Sequence, residues 1–437
     1  MYWRNSLWCK FIAIVLGLVL LLPVLAACGG GGKETTAPIA TAPPTLTAAP
    51  TASPTKTAAP TTIPTASPTP TATPAATPTP VPSGPVKIGA ISSWSGPAAM
   101  AGLYYGDPII KLVEWQVKQM GGILGGREVK VIKYDNRGSV AEAGAGATKL
   151  FKEDKVSALV WGGASGAECE AVSAVAEENH VFYVSFGDLQ SLPEKKFTVC
   201  ATYSQAALAV PIINLGTKVL KAKTVGYLTT DLADGRWRVE IYKSGLEAGG
   251  VKTVYEEYVG TDASDYTSNL TKIKYIAPDM LVIDSPRSEV PLTVAKQIMD
   301  LGGWGHIQVV IALSSGEASK SKPGAQGWYL GGLWVPGLSY PGAVKFETDY
   351  QTLNNGKLPE ENMVYNYVSL WTAINAIELA GTDDPAKVAE AARSGKLEWD
   401  TPIGKARYTL DHPGYPGLLP LVTHVEGGKK VYVALPE

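Results

Sequence analysis

The sequence has little net charge and few histidine and cysteine residues. Its 437 residues carry a formal net charge of −2, so no charge imbalance attracts nucleic acid or an acidic surface. The four histidines are scattered without the spacing of metal ligands, at His180, His306, His412 and His424. We therefore expect no metal, no other cofactor and no nucleic acid partner.

Long apolar runs are also scarce, and the one that occurs lies near the N-terminus. Residues 11–22 are uniformly apolar, Arg4 and Lys10 precede them, and small residues follow. A basic start, a short apolar stretch and small residues at its end are the parts of a secretory signal, and the run is short for a membrane span. We expect residues 1–27 to be a signal peptide.

The residues around the end of this signal, Leu25-Ala26-Ala27-Cys28, resemble the lipobox of bacterial lipoproteins. The resemblance implies cleavage before Cys28, a diacylglycerol on its sulfur and acylation of the new amino group. Several acyl chains anchor a protein far more firmly than one. The predicted location is therefore extracytoplasmic, on the cell surface or in the periplasm, with a lipid anchor in the membrane.

The next segment has scarcely any large apolar side chain. From residue 33 to residue 85 the chain is almost entirely Thr, Ala, Pro and Ser. This composition cannot bury enough surface to offset the entropy of ordering. We expect residues 28–85 to form a lipidated cysteine and a disordered tether.

Cysteine is rare in the part that remains. Cys9 lies within the signal and Cys28 is the predicted lipid site, which leaves Cys169 and Cys200. A disulfide is allowed outside the membrane, but the spacing does not decide whether these two residues meet. The sequence leaves their pairing open.

About 350 residues follow the tether, which suggests two domains. Short buried strands alternate with helices, a pattern typical of an α/β doubly wound parallel sheet. The first half has predicted strands at residues 86–91, 129–134, 159–161 and 181–185. The pattern begins again after residue 203, with predicted strands at residues 224–228, 251–258, 280–284 and 309–313. Two similar halves indicate a two-lobed protein with a cleft.

The remaining residues are too few for a third domain. They carry predicted helices at residues 343–353, 364–380 and 385–392, and predicted strands at residues 406–410, 420–424 and 430–433. We expect this last part of the chain to complete both lobes.

One strand-turn-helix, at residues 159–178, has the form of an anion site. A buried strand ends at Gly162, and the helix that begins near Gly166 directs free backbone N–H groups towards a crevice. Ser165 and Glu168 have the spacing of a capping box, which is a purely structural role. The two roles are compatible, because a hydroxyl can accept from a helix N–H and donate its own proton to a ligand oxygen.

Several motifs, taken together and in order, resemble the type I solute-binding proteins of branched-chain amino acid ABC transporters, in lipoprotein form. They are Val86-Lys87-Ile88-Gly89, Ser95-Gly96-Pro97, Gly121-Gly122-Ile123, Gly125-Gly126-Arg127, Tyr134-Asp135, Gly163-Ala164-Ser165 and Thr401-Pro402-Ile403-Gly404. The resemblance covers essentially all of residues 86–433.

The family implies two lobes, each a doubly wound and mostly parallel sheet, joined by three hinge crossings. We assign residues 86–203 and 334–403 to the N-terminal lobe, and residues 204–333 and 404–437 to the C-terminal lobe. The implied function is capture of a small ligand, an amino acid of branched-chain type, and its delivery to the permease subunits of an ABC importer.

The family also implies roles for residues of the first lobe. Ser165 and neighbouring backbone N–H groups, including that of Gly166, hold the ligand α-carboxylate. The loop Phe186-Gly187-Asp188 lines the same lobe and helps to bind the ammonium. Asp188 is an acid where relatives often have a hydroxyl, so it either takes a positive group directly or caps its own loop. Trp94 either covers the ligand or packs in the core.

The second lobe departs from the family. Asp234-Gly235 stands where relatives have Tyr-Gly, and Asp284-Ser285-Pro286-Arg287 replaces small residues and an aromatic. The acid that takes the ammonium in relatives is replaced by Ala312-Leu313-Ser314-Ser315. Either Asp188 or Asp284 substitutes for it, or the ligand is an aromatic acid or an amide without an α-ammonium.

An enzyme is the alternative from another class. Gly163-Ala164-Ser165-Gly166-Ala167 is one residue away from the Gly-x-Ser-x-Gly nucleophile elbow, and two histidines follow late in the chain. The last glycine of that motif is missing, no oxyanion-loop motif precedes it, and duplicated halves do not suit an α/β-hydrolase. We expect a binding protein and no enzyme, with a Ser165 hydrolase as the minor alternative.

Overall fold

The computed structural model describes residues 84–437 apart from Pro97, Asp188, Gln190, residues 202–203, Ser288, residues 313–319, residues 409–419, Ala434 and residues 436–437. All described residues belong to one compact unit, Thr79–Glu437. The predicted signal peptide, Cys28 and nearly all of the tether lie outside the described residues, and so does Asp188.

The first sheet has five parallel strands in the order β2-β1-β3-β4-β5. The strands are β1 (Val86–Ser92), β2 (Val129–Asp135), β3 (Ala158–Trp161), β4 (Tyr183–Ser185) and β5 (Thr198–Cys200). Its helices are α1 (Asp107–Gln119), α2 (Val140–Lys152) and α3 (Gly166–Asn179). The winding reverses at β1, which has β2 on one side and β3 on the other. The strand β5 was not predicted from the sequence.

Both faces of this sheet are covered, as a parallel sheet requires. Ile88 and Ala90 of β1 belong to one apolar cluster, whereas Ile91 belongs to another that includes Leu150 and Val172 from α2 and α3. Burial on both faces explains why the strands are continuous apolar runs in the sequence rather than alternating ones.

The second sheet has seven strands in the order β14-β13-β10-β9-β8-β6-β7. They are β6 (Thr224–Thr230), β7 (Lys252–Val259), β8 (Met280–Asp284), β9 (Gln308–Ile311), β10 (Tyr329–Gly332), β13 (Leu421–Glu426) and β14 (Lys429–Val433). Its helices are α4 (Gln205–Asn214), α5 (Ala233–Ala248), α6 (Thr267–Ile276) and α7 (Glu289–Asp300). The strands β6 to β10 are parallel, and β13 runs antiparallel to both β10 and β14.

The chain between β10 and β13 packs with the first sheet. It forms α8 (Pro341–Leu353), α9 (Glu361–Ala380), α10 (Pro385–Arg393), β11 (Glu398–Thr401) and β12 (Gly404–Arg407). Buried side chains of all three helices share a core with β1 and β3. We call this segment and the first sheet the first lobe, and the second sheet with its helices the second lobe.

One predicted domain boundary needs correction. Residues 404–437 were assigned to the second lobe, but β12 pairs antiparallel with β11, with Thr401 opposite Gly404, and Ala406 and Tyr408 are buried in the first lobe. The motif at residues 401–404 is a tight hairpin, and a hairpin keeps its two strands in the same unit. The first lobe therefore includes the chain as far as Tyr408.

The longest helix, α9, is buried over most of its length within the first lobe. Among the described residues, no helix combines the length and apolarity needed to cross a membrane.

Candidate functional site

The first lobe gathers two loops where its winding reverses. Residues 93–96 follow β1 and residues 162–165 follow β3, and the carboxyl ends of such neighbouring strands form the usual ligand crevice of doubly wound sheets. The buried side chain of Asn136 joins the two loops. Its Oδ1 accepts a hydrogen bond from Ser93 Oγ at 2.8 Å, and its Nδ2 donates to Glu168 Oε1 at 3.1 Å.

A sharp turn directs the chain from β3 towards this crevice. Trp161, Gly162 and Gly163 have φ angles of 76°, 103° and 138°. Only glycine adopts such angles without strain, and a Cβ on Gly163 would lie 2.7 Å from the Asn136 side chain. The two glycines are therefore required for the turn that places Ser165 at the start of α3.

Ser165 is the N-cap of α3, and the predicted capping box is present. Its Oγ accepts from the Glu168 N–H at 3.4 Å and donates to Glu168 Oε2 at 2.9 Å. The same carboxyl oxygen accepts the N–H groups of Ala164 and Ser165 at 2.8 and 2.7 Å. Glu168 is only 2% exposed, so the Ser165 proton is held by a buried carboxyl group. This differs from the expectation that the hydroxyl donates to a ligand oxygen.

The N–H groups of Gly166 and Ala167 are the free donors of α3. No described residue accepts a hydrogen bond from either, and the start of a helix carries about half a positive charge. Among the described residues at the start of α3, these two N–H groups are therefore the donors left for an anion.

The loop after β4 lies beside the same crevice. The Phe186 N–H donates to the Trp161 carbonyl at 2.9 Å, and Ser185 Oγ donates to the Gly187 carbonyl at 2.7 Å. The Phe186 ring meets Tyr365 of α9 edge-on, with centroids 5.8 Å apart. This places Phe186 and Gly187 in the predicted lobe, whereas Asp188 lies outside the described residues.

Trp94 is held tightly in the loop after β1. Its Nε1 donates to Asp107 Oδ1 at 2.8 Å, and its ring lies 6.2 Å from that of Trp161. Lys133 Nζ lies 5.3 Å from the ring centroid, and a Cβ on Gly102 would lie only 2.6 Å from the ring. These contacts correspond to the packing role that the sequence left open for Trp94.

The second lobe repeats the arrangement, because its winding reverses at β6, between β7 and β8. Asp234 lies in the first turn of α5, which follows β6, and Asp284 ends β8. The two loops are joined by a buried hydrogen bond from Thr230 Oγ1 to Ser285 Oγ at 2.8 Å.

A buried arginine connects the two acids. Arg238 Nε lies 3.0 and 2.9 Å from the two oxygens of Asp284, and its Nη2 lies 2.7 Å from Oδ1. Arg238 Nη1 donates to Asp234 Oδ2 at 2.9 Å. Burial alone would lower the pKa of Arg238, but the Asp284 carboxylate outweighs it and holds that pKa well above its ordinary value.

The two acids differ in their exposure to solvent. The Asp284 side chain is 0% exposed and its charge is matched by the guanidinium, so the expectation that it takes a ligand ammonium is corrected. The Asp234 side chain remains 28% exposed.

The two lobes approach each other closely at Gly166 and Asp234. A Cβ on Gly166 would lie 3.7 Å from Asp234 Cβ and 3.8 Å from its Oδ2. The free N–H groups at the start of α3 therefore lie opposite a carboxylate of the other lobe.

Comparison with known proteins identifies the architecture. Residues 85–417 match the family described as periplasmic binding protein. The chain belongs to this family. A relative in Brucella melitensis, named Leu/Ile/Val-binding protein homolog 3, is 26% identical over 340 residues, which cover 74% of this chain and 87% of that protein.

Solved structures of periplasmic binding proteins share the fold. The branched-chain amino acid transporter substrate binding protein LivJ from Streptococcus pneumoniae, in complex with isoleucine, matches with a TM-score of 0.70 at 21% identity, over 80% of this chain and 100% of that chain. A solute binding protein of an ABC transporter from Rhodopseudomonas palustris, in complex with 3,4-dihydroxybenzoic acid, matches with a TM-score of 0.69 at 20% identity, over 79% and 95%. The predicted family and two-lobed fold are confirmed.

One hinge crossing of this periplasmic binding protein, after Gly332, lies within the described residues. Glu361 of α9 accepts the Leu333 N–H at 2.6 Å and the Tyr365 hydroxyl, and it pairs with Lys430 Nζ at 3.0 Å. A Cβ on Gly332 would overlap Glu361 Oε1, so a larger residue there would have to displace this carboxylate from its partners. Because Tyr365 also contacts Phe186, this crossing adjoins the loop that follows β4.

Sequence reasoning missed two residues of the site, Arg238 and the hinge residue Glu361. The Asp234–Arg238 pair has the i,i+4 spacing of a helical ion pair, which was the available signal for Arg238. Glu361 has no comparable local signal, since Lys430 is distant in the chain.

Proposed function

We propose that this protein captures a small ligand between its lobes and delivers it to the permease of an ABC importer. The observation that carries this proposal is the meeting of two strand-end crevices, one from each lobe, at Gly166 and Asp234. Crevices at the carboxyl ends of strands, where the winding of a sheet reverses, are the usual ligand sites of such folds.

An amino acid of branched-chain type is the first candidate ligand. The Brucella relative is named as a Leu/Ile/Val-binding protein, and the S. pneumoniae protein was solved with isoleucine. An aromatic acid is the second candidate, because the R. palustris protein holds 3,4-dihydroxybenzoic acid.

Binding without turnover is supported by the surroundings of Ser165. Its hydroxyl proton goes to Glu168, and no described histidine contacts it. A serine nucleophile needs a base that passes this proton on to a leaving group, whereas both oxygens of the buried Glu168 carboxyl are engaged by Asn136 and by the N–H groups of Ala164 and Ser165.

A thermal-shift series tests the proposal. Leucine, isoleucine, valine, benzoate and 3,4-dihydroxybenzoate are added separately to the full protein. A ligand present at 100 times its Kd stabilises the folded state by about 2.7 kcal/mol, which gives a clear rise in Tm. No rise with any of the five compounds at millimolar concentration would overturn the proposed ligand classes.

The location is part of the same proposal. We expect Cys28 to carry lipid and to hold the protein at the outer face of a membrane. Cys28→Ser moves the protein from the membrane fraction to the soluble fraction or leaves it uncleaved. A mature wild-type chain that starts beyond Cys28 and lacks acyl groups would refute the anchor.

A further inference from the structure

We propose that Asp234 binds a cationic group of the ligand, so that the cleft selects zwitterions such as α-amino acids over simple carboxylic acids. The inference rests on the proposed function, because it assumes that the ligand lies between the lobes. It assigns a role that neither the family resemblance nor the relatives give to this residue.

The Asp234 carboxylate can accept more hydrogen bonds than it does. Its Oδ2 accepts one hydrogen bond, from Arg238 Nη1, and its Oδ1 accepts none from any described residue. An ionised carboxylate is an acceptor with room for about four donors. A carboxylate that is 28% exposed, lies at the lobe contact and has an unused oxygen is suited to an N–H donor from a ligand.

The charged side chains around Asp234 also favour a cationic ligand group. Arg238 and Asp284 neutralise each other as a buried pair. The neighbouring charges at this end of α5, Asp231 and Arg236, also pair with each other at 2.7 Å. Arg238 is therefore shared by two acids, so the side chains of Arg238, Asp284 and Asp234 together carry one more negative charge than positive, beside the partly positive start of α3. A ligand cation would supply the missing charge.

On the opposite side of the cleft, the start of α3 offers donors for a ligand carboxylate. Glu168 already takes the donors of Ala164 and Ser165, so a ligand carboxylate has the N–H groups of Gly166 and Ala167 as its donors there. An α-amino acid carries its carboxylate and its ammonium on one carbon atom. It therefore places an anion at the start of α3 and a cation at Asp234 within the short distance that separates them.

A carboxylic acid without an amino group fits this arrangement less well. It leaves Asp234 Oδ1 without a donor and brings a second negative charge towards this carboxylate. Sites that hydrogen-bond a polar group of their ligand reject analogues that lack this group more strongly than apolar pockets reject a missing methylene.

The experiment compares leucine with 4-methylpentanoate, which is leucine without its amino group. Binding of each compound, and of benzoate, is measured by calorimetry on the wild-type protein and on Asp234→Asn. We expect the wild-type protein to prefer leucine. Asp234→Asn should weaken leucine binding at least tenfold and leave the affinity for 4-methylpentanoate unchanged or improved.

Two further variants make the result specific. Asp231→Asn removes a carboxylate three residues away that pairs with Arg236, and it should leave both affinities unchanged. Asp234→Glu keeps the charge and should retain part of the preference for leucine, which separates loss of charge from local misfolding. The unfolding midpoint of each variant is measured alongside.

The outcomes separate this inference from the proposed function. Equal losses for leucine and 4-methylpentanoate in Asp234→Asn, or wild-type affinity for benzoate that exceeds that for leucine, would overturn the role of Asp234 and leave cleft binding intact. Failure of the wild-type protein to bind any of the three compounds would overturn both.

Discussion

Lys430 and Glu361 form a buried ion pair between the two lobes. The Lys430 Nζ lies 3.0 Å from Glu361 Oε2, and the two side chains are 6% and 3% exposed. Lys430 belongs to β14 of the second sheet, whereas Glu361 begins α9 of the first lobe. The pair thus lies beside the crossing at Leu333, whose N–H also bonds to Glu361.

Removing one partner of this pair should be costly. We predict that Lys430→Met lowers the free energy of unfolding by about 3–5 kcal/mol, because it leaves a buried carboxylate without its cation. Urea denaturation measures the change. The double variant Lys430→Met, Glu361→Leu should lose less than the single one. A loss below about 1 kcal/mol in Lys430→Met would show that the pair is solvated in solution.

Ser165→Ala should affect stability more than binding. We expect the free energy of unfolding to fall by about 1 kcal/mol for the lost helix cap. Binding should weaken by less than the roughly 1.5–3 kcal/mol of a hydrogen bond to a charged group, because the hydroxyl donates to Glu168. Ser139→Ala is the matched control, since Ser139 caps α2 in the same way. A full 1.5–3 kcal/mol loss of affinity in Ser165→Ala alone would show direct contact with the ligand.

The two thiols of the folded part should be protected until the protein unfolds. Neither Cys169 nor Cys200 forms a disulfide; both are buried and share a small apolar cluster with Leu189 and Leu192. We predict that iodoacetamide labels neither in the native protein and both after denaturation. Tyr275→Cys, at a position 91% exposed, is the reactive control. A Cys169–Cys200 disulfide-linked peptide in a non-reduced digest would contradict this prediction.

Alkaline pH should destabilise the protein. Burial raises the pKa of the Cys169 thiol and raises the pKa of Tyr183 well above its ordinary value. The folded state therefore favours the neutral forms. These two groups contribute fully to the free energy of unfolding at pH values below their pKa values in the unfolded chain, about 8.5 for Cys and about 10 for Tyr. The contribution is lost as the pH rises towards their higher pKa values in the folded protein.

Denaturation curves between pH 7 and pH 11 test this dependence. We expect the free energy of unfolding to begin to fall above about pH 9. Tyr183→Phe should make that fall shallower, whereas Tyr275→Phe at its exposed position should not. A curve that stays level to pH 11 would show that the buried groups ionise freely in the folded state.

The sequence predicted the elements that local patterns encode. The helix predicted at residues 385–392 agrees with α10 to within one residue, and the Ser165–Glu168 capping box was identified because both partners lie within one helical turn. The alternation of buried strands and helices was enough to indicate the doubly wound class. The strands β5 and β10 were not predicted from the sequence. Their length is not the reason, since β4 also has three residues and was predicted, but β10 ends in two glycines, a residue type that is depleted in strands.

Tertiary structure alone decided how the candidate site is charged. Arg238 meets Asp284 across 46 positions of the chain, and this contact turns one predicted ligand acid into a buried partner and leaves Asp234 at the lobe contact. The approach of Gly166 to Asp234 likewise joins residues from different lobes. Helix caps and apolar periods involve residues that are close in the chain, so they can be recognised in the sequence. Ion pairs between distant strands and helices depend on how the sheets wind and pack.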